Sequence, residues 1–386
     1  MRIMLSSNAV WSTTGYGVEA KYLLPRLEAW GHEVAQFAWY GLQGGMLKAG
    51  FPIYPGLRDG FGADIVGAHC KHFGADLLVS LHDVWVLPPD YRQRFDAAWA
   101  IWMPVDHSPL PRLVRDRALP AEYPLVYSQW GTDVALDGGL EHARYMPLAV
   151  DTDLFYPGDD PAAARVEARE ALGLPQDAWV VDMVAANKSQ PSRKNLVECI
   201  DAFADIHALH PDAVLYLHTE MSPEGGGIDL WAAIDAVGLP RTAVRVVDQY
   251  HYLTGIKDDW MVKVYRAADV HLGPSVSEGF GLPLVEAQAC GTPVITTHFS
   301  SMPELTWAGM MVEPSGRTFT PLNAFVASVT ARDIYEALKA AYEWPDKTVN
   351  AKCEFAVNMA QAYSWDAVVA EHWVPFLAEV EGNLHD

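Results

Sequence analysis

Short apolar runs alternate with amphipathic segments along almost the whole chain. Runs over residues 2–7, 33–39, 76–81, 99–105 and 125–128 have the length and β-branched or aromatic content of buried strands. Between the first two, apolar residues recur at helical spacing from about Val18 to Trp30, and Gly31 closes the segment. The pattern then restarts. Strand-like runs cover 179–185, 214–218, 244–247, 270–273 and 294–297, separated by amphipathic helices such as 195–209 and 258–267. Strands that alternate with helices make βα units and parallel sheets. Two successive sets predict an α/β protein of two doubly wound domains facing one another, with ligands held beyond the strand carboxyl ends in the cleft between them. The turn-forming stretch Phe155-Tyr156-Pro157-Gly158-Asp159-Asp160-Pro161 sets the boundary. The first domain is expected over 1–157, joined by a returning helical segment at about 365–386, and the second over 158–364.

Composition narrows the class. The chain has 386 residues, half of them hydrophobic and a fifth charged, enough for two cores. No apolar run reaches 18 residues, so no integral membrane segment is expected. The opening Met1-Arg2-Ile3-Met4-Leu5 reads as a first strand rather than an export signal. Four cysteines lie far apart without a Cys-x-x-Cys pair, which fits reduced thiols and a cytoplasmic location, with peripheral membrane attachment left open. The formal charge is −22. Through Pro157 there are 12 Lys and Arg against 17 Asp and Glu, and in the remainder 15 against 32. That balance weighs against nucleic acid as a partner, because such binding rests on cations that neutralise phosphates.

The densest chemistry lies in Gly273-Pro274-Ser275-Val276-Ser277-Glu278-Gly279-Phe280-Gly281-Leu282-Pro283-Leu284-Val285-Glu286. A strand ends here, a two-glycine turn follows, and a helix begins with Pro283 near its first position. Unpaired amides and the dipole at such a helix start can hold a diphosphate. Glu286, expected in the first helical turn, is placed to accept hydrogen bonds from ribose hydroxyls. Glu278 lies on the side where a sugar on that diphosphate would project. The plainer alternative is that both acids only favour a helix N-terminus.

Glu278-x7-Glu286 around Gly279, Phe280, Gly281 and Leu282 resembles the signature of family 4 retaining glycosyltransferases of the GT-B fold, two facing Rossmann-like domains. The flanking Val264-Tyr265-Arg266-Ala267-Ala268-Asp269-Val270, Glu286-Ala287-Gln288-Ala289-Cys290-Gly291-Thr292-Pro293 and Ser301-Met302-Pro303-Glu304-Leu305 are similar to that family too. The resemblance implies a nucleoside diphosphate sugar donor, UDP- or GDP-linked, and an acceptor hydroxyl. It implies a basic pair on the donor diphosphate: Lys194 matches the family lysine, Lys188 falls where an arginine is usual, and Arg193 is a second candidate for that fork. It assigns Gly15 and Gly17 to a glycine loop near the donor phosphates, with Tyr16 standing between them. It places His107, or its neighbour Asp106, beside the transferred sugar; His82-Asp83 at the preceding strand end ranks below them. Leu148-Ala149 replaces the Asn-Gly usual before Val150-Asp151.

No metal or cofactor is expected beyond the donor as co-substrate. Asp151-x-Asp153 belongs to the interdomain pattern rather than to a metal site. His207-x-x-His210 and His69-Cys70-Lys71-His72 lack a second ligand cluster. Some of the 14 tryptophans are candidates to stack on sugar rings, the rest to pack cores. The acceptor stays open among glycans, lipid-linked sugars and small molecules, with acidity against DNA. An epimerase or phosphorylase on the same architecture, or a non-catalytic nucleotide-sugar-binding protein, are the competing readings.

Overall fold

The structure, a computed structural model, describes residues Met1 to His385 and divides into two compact units. The first unit takes in Met1–Ala149, a short segment Thr320–Ala324, and the C-terminal segment from Trp365. Its sheet is built from β1 (Arg2–Asn8), β2 (Glu33–Gln43), β3 (Leu47–Ala49), β4 (Phe51–Gly56), β5 (Leu77–Leu81), β6 (Ala98–Met103), β7 (Tyr123–Val126) and β8 (Arg144–Tyr145). The spatial order is β3-β4-β2-β1-β5-β6-β7-β8. All pairings are parallel except β3 with β4. Helix α1 (Gly15–Ala29) begins three residues earlier than the apolar spacing indicates, because Thr14 caps it through the Gly17 amide. β4 escapes sequence reading because Pro52, Pro55 and Gly56 look like a turn; a strand flanked by the short β3 tolerates them.

Central strands read as continuous apolar runs because both faces are covered. Within β6, every residue from Trp99 to Met103 is buried. Trp102 carries the C-terminal segment: Trp373 packs edge-to-face on it with ring centres 5.0 Å apart. Trp365 stacks on Tyr22 of α1 at 5.8 Å. Burial of each such ring or aliphatic chain contributes about 1.5–3 kcal/mol.

The second unit spans Val150–Phe319 and Phe325–Ser364. Its parallel sheet comprises β9 (Val180–Val184), β10 (Val214–His218), β11 (Val244–Val246), β12 (Val270–Gly273), β13 (Val294–Thr297) and β14 (Gly309–Val312), in the order β11-β10-β9-β12-β13-β14. An antiparallel pair, β15 (Gly316–Phe319) with β16 (Phe325–Ser328), lies outside it. Chain order and spatial order diverge between β9 and β12, which places a topological switch point there. Ligand-binding loops gather at such points in open α/β sheets. Helices α2 (Leu196–Leu209) and α3 (Leu282–Ala289) follow β9 and β12 and frame it.

Candidate functional site

At the switch point of the second unit sits Glu278, 8% exposed. Its Oε1 is paired with the Lys194 ammonium and accepts from Ser275 Oγ at 2.5 Å, and its Oε2 meets Arg193 Nη1 at 3.3 Å. Burial by itself pushes this carboxyl up. The Lys194 and Arg193 charges outweigh burial and hold it at about 2. The loop is fixed on all sides. Arg193 donates to the Ser277 carbonyl at 2.6 Å, Ser300 Oγ accepts from the Glu278 amide at 2.9 Å, and Ser301 donates to the carbonyls of Glu278 and Phe280. Asn195 Nδ2, on the Pro274 carbonyl at 2.7 Å, ties the start of α2 to the end of β12. A small cleft opens here, lined by Lys194, Gly273, Ser275, Glu278, Gly281 and Pro283 among others.

Glu286 lies one position further into the helix than expected. α3 starts at Leu282 behind Gly281, so Glu286 is in the second helical turn rather than the first. Gly281 adopts φ +117, open to glycine because it lacks a Cβ, and the helix begins directly after it. Tyr265 donates to Glu286 Oε2 at 2.6 Å. Burial raises this carboxyl to about 7; the Tyr265 hydrogen bond opposes the rise without cancelling it. Behind it lies a fully buried pair, His271 Nδ1 on Asp182 Oδ2 at 2.9 Å, with the His271 ring 5.7 Å from that of Tyr265. The helix start is also poorer in donors than its sequence indicates. Pro283 has no N–H, and the Leu284 amide donates to the Gly281 carbonyl. Gly279 and Phe280 are buried in the turn, the Phe280 ring 5.6 Å from Tyr363, while Leu282 is half-buried at the first helical position. Lys188, on the loop after β9, is exposed. The structure thus joins Arg193 and Lys194 to Glu278 and leaves Lys188 apart from that group.

The remaining candidates lie in the first unit. Gly15 opens α1, exposed; Gly17 is buried. A Cβ on Gly17 would stand 2.4 Å from the Ser12 carbonyl oxygen and 2.8 Å from that of Ala9. The close approach that requires this glycine is to its own loop, not to a ligand. Tyr16 between them is hydrogen-bonded to the Asp83 carboxylate and to Tyr127, and burial and the nearby Asp83 raise its phenol well above the usual range. Beyond β6, His107 Nδ1 lies 2.6 Å from Asp106 Oδ1, an arrangement that fixes the imidazole's orientation. Motif reading passed over Ser275, Ser300, Tyr265, His271 and Asp182. Serines and apolar-strand histidines carry no spacing signal. Tyr265 stood inside the quoted helix without a reason to be singled out. Among the described residues no group of three or more His, Cys, Asp or Glu is placed to hold a metal, and no helix is long and apolar enough to cross a membrane.

Two doubly wound units, each presenting its polar groups at strand carboxyl ends, define the GT-B architecture of glycosyltransferases. Residues 183–329, almost all of them in the second unit, match the family model described as Glycosyl transferases group 1. A D-inositol 3-phosphate glycosyltransferase from Geodermatophilus obscurus is 30% identical over 240 residues, which is 61% of this chain and 47% of that one. The chain spans less than half the length of this and similar curated relatives. Among solved structures, sucrose-phosphate synthase from Thermosynechococcus elongatus superposes with a TM-score of 0.76 at 19% identity, over 99% of this chain and 100% of the other. Anabaena HepE, in complex with UDP and glucose, superposes with a TM-score of 0.71 at 16% identity, over 98% and 100%. At those identities the likeness is one of fold.

Proposed function

We propose that the chain is a retaining glycosyltransferase of family 4 that moves a sugar from a UDP- or GDP-linked donor to an acceptor hydroxyl. The observation that carries this is the Lys194–Glu278–Arg193 group at the switch point. Two cations on one buried carboxylate leave net positive charge, which suits a diphosphate whose negative charge grows as the glycosidic bond breaks. Glu278 orients both cations and faces the transferred sugar. Glu286 accepts the ribose hydroxyls. In the first unit, His107, set by Asp106, holds a sugar hydroxyl. The C1–O bond to the diphosphate breaks, the acceptor oxygen bonds to C1, and the acceptor proton passes to a leaving phosphate oxygen. Charge compensation falls to side chains, so no metal takes part, and the enzyme works in the cytoplasm. Retention follows the family resemblance.

The test is a melting series with UDP- and GDP-linked hexoses. At a hundred times its Kd a donor that binds only the native state adds about 2.7 kcal/mol of stability, an upward shift of a few degrees. Glu286→Ala should abolish the shift. No shift with any donor, or a shift unchanged in that variant, would overturn the reading.

A further inference from the structure

The carboxyl edge of the first unit's sheet is aromatic and acidic rather than cationic. Four large rings there stand open to solvent: Trp11 is 47% exposed, Tyr40 54%, Phe61 41% and Trp85 44%. They follow neighbouring strands. Trp11 comes just after β1, Tyr40 pairs with Asn8 at the end of β1, Phe61 comes after β4 and Trp85 after β5. Three of them, Trp11, Tyr40 and Phe61, are held by neighbours. The Trp11 indole donates to the Gly41 carbonyl at 3.1 Å. The Trp39 ring stacks on His82 at 4.7 Å and lies 5.6 Å from Phe61 and 6.3 Å from Tyr40. Exposed rings scattered singly need no explanation, but several gathered at the ligand-binding end of one parallel sheet do.

The polar groups at the same edge are carboxylates. Asp83, two residues before Trp85, accepts from Tyr16, and Asp106 acts on the same phenol. The groups acting on Tyr127 include Asp83 and Glu19. His82 adds no positive charge, since burial lowers it to about 3. Of the basic residues on these connections, Lys48 and Arg58 are equalled in number by Asp59 and Asp64, and Arg92 and Arg94, after β5, are ion-paired with Glu122 and Asp90. Flat aromatic faces pack against the C–H face of a sugar ring, and carboxylates accept its hydroxyls. A phosphate dianion would meet like charge.

We propose that this edge is the acceptor subsite and that it takes a neutral, unphosphorylated sugar or cyclitol ring, stacked on Trp11 and Trp85 with a hydroxyl on Asp83. The inference rests on the glycosyltransferase reading and names the acceptor class for it. It sets this chain apart from the D-inositol 3-phosphate glycosyltransferases that it resembles in sequence.

The test is ligand-observed NMR on the full chain with matched pairs: glucose and glucose 6-phosphate, mannose and mannose 6-phosphate, myo-inositol and its 3-phosphate. At least one neutral member should bind at least tenfold more tightly than its phosphate. Trp11→Ala and Trp85→Ala should each weaken it about tenfold while leaving the donor-induced melting shift intact, and Asp83→Asn should narrow the gap within the pair. Tighter binding of the phosphorylated members, absence of neutral-sugar binding, or affinities unmoved by both tryptophan variants would overturn the proposal. Loss of the donor shift in the parent chain, with neutral sugars still bound at the tryptophans, would remove the transferase reading and leave a saccharide site.

Discussion

At the carboxyl end of the second unit's sheet a buried glutamate is kept ionised by a lysine and an arginine. At the corresponding end of the first unit's sheet, Asp83 meets a tyrosine, Asp106 meets a histidine, and a row of rings faces solvent. Both sheets are parallel and doubly wound, so both deliver their loops to one edge by the same rule. The difference lies entirely in what the loops carry. Topology decides where chemistry can occur, and a few side chains decide that one edge suits an anion while the other suits a neutral polyol. The contrast also shows in overall charge: the more acidic half of the sequence is the one that concentrates its cations at the switch point.

The largest effect expected from breaking this contrast is at Lys194. Lys194→Ala leaves Glu278 buried with Arg193 as its remaining cation, so the carboxyl should rise from about 2 toward its ordinary range and the positive charge facing the diphosphate should drop. Removal of one preorganised charge-stabilising group typically costs about 10²–10³ in kcat. Single-turnover transfer rates should fall by that order, with Lys194→Arg recovering part of the loss. A fall of less than tenfold would show that the second edge does not depend on this cation.

Glu286 offers a test of the same edge by pH. Its burial, only partly offset by Tyr265, places the carboxyl at about 7 in the free protein. On the proposed reading ribose hydroxyls donate to the ionised form, so donor binding is favoured once the proton is gone. Above about pH 8 the donor Kd should be flat. As pH falls from 8 to 6 the ionised fraction drops about tenfold, and the Kd for an intact nucleotide sugar should rise by the same factor. Folding stability runs the other way. The raised carboxyl favours the native state when protonated, so that contribution is present below about 4.5 and lost as pH climbs toward 7. Glu278, held at about 2, does not titrate in this window. Glu286→Gln should flatten the Kd profile; a slope that survives in this variant would place the titrating group elsewhere.

Much of this was legible before any coordinates. Strand–helix alternation fixed the fold class, because parallel strands buried on both faces read as plain apolar runs. The turn from Glu278 to Glu286 stood out because glycines, a proline and two acids cluster at a strand end. Local geometry was less legible. The helix position of Glu286 depends on a start directly after Gly281, whose positive φ a sequence permits but does not require. The Gly17 constraint comes from the carbonyls of Ala9 and Ser12, contacts invisible until the loop is folded. The Asp182–His271 pair is formed by strands 89 positions apart, and no spacing rule joins them.

The smallest effect expected, and the one that separates sequence analogy from geometry, concerns Lys188. By position it stands where the resemblance calls for an arginine, yet its side chain is exposed on the loop after β9, while Arg193 touches both Glu278 and the Ser277 carbonyl. A solvated cation acts through water and salt, and such interactions are worth about 0.2–1 kcal/mol, no more than about fivefold. Arg193 is also exposed, but it is anchored on the buried Glu278 and the Ser277 carbonyl and presents a planar fork that a lysine cannot imitate. Lys188→Ala should therefore raise the donor Kd about two- to fivefold, with the loss shrinking as salt is added. Arg193→Ala should cost more and respond less to salt. If Lys188→Ala proved the costlier of the two at 0.15 M salt, the loop after β9 would have to close over the donor, and the second edge would be assembled by its ligand rather than built beforehand.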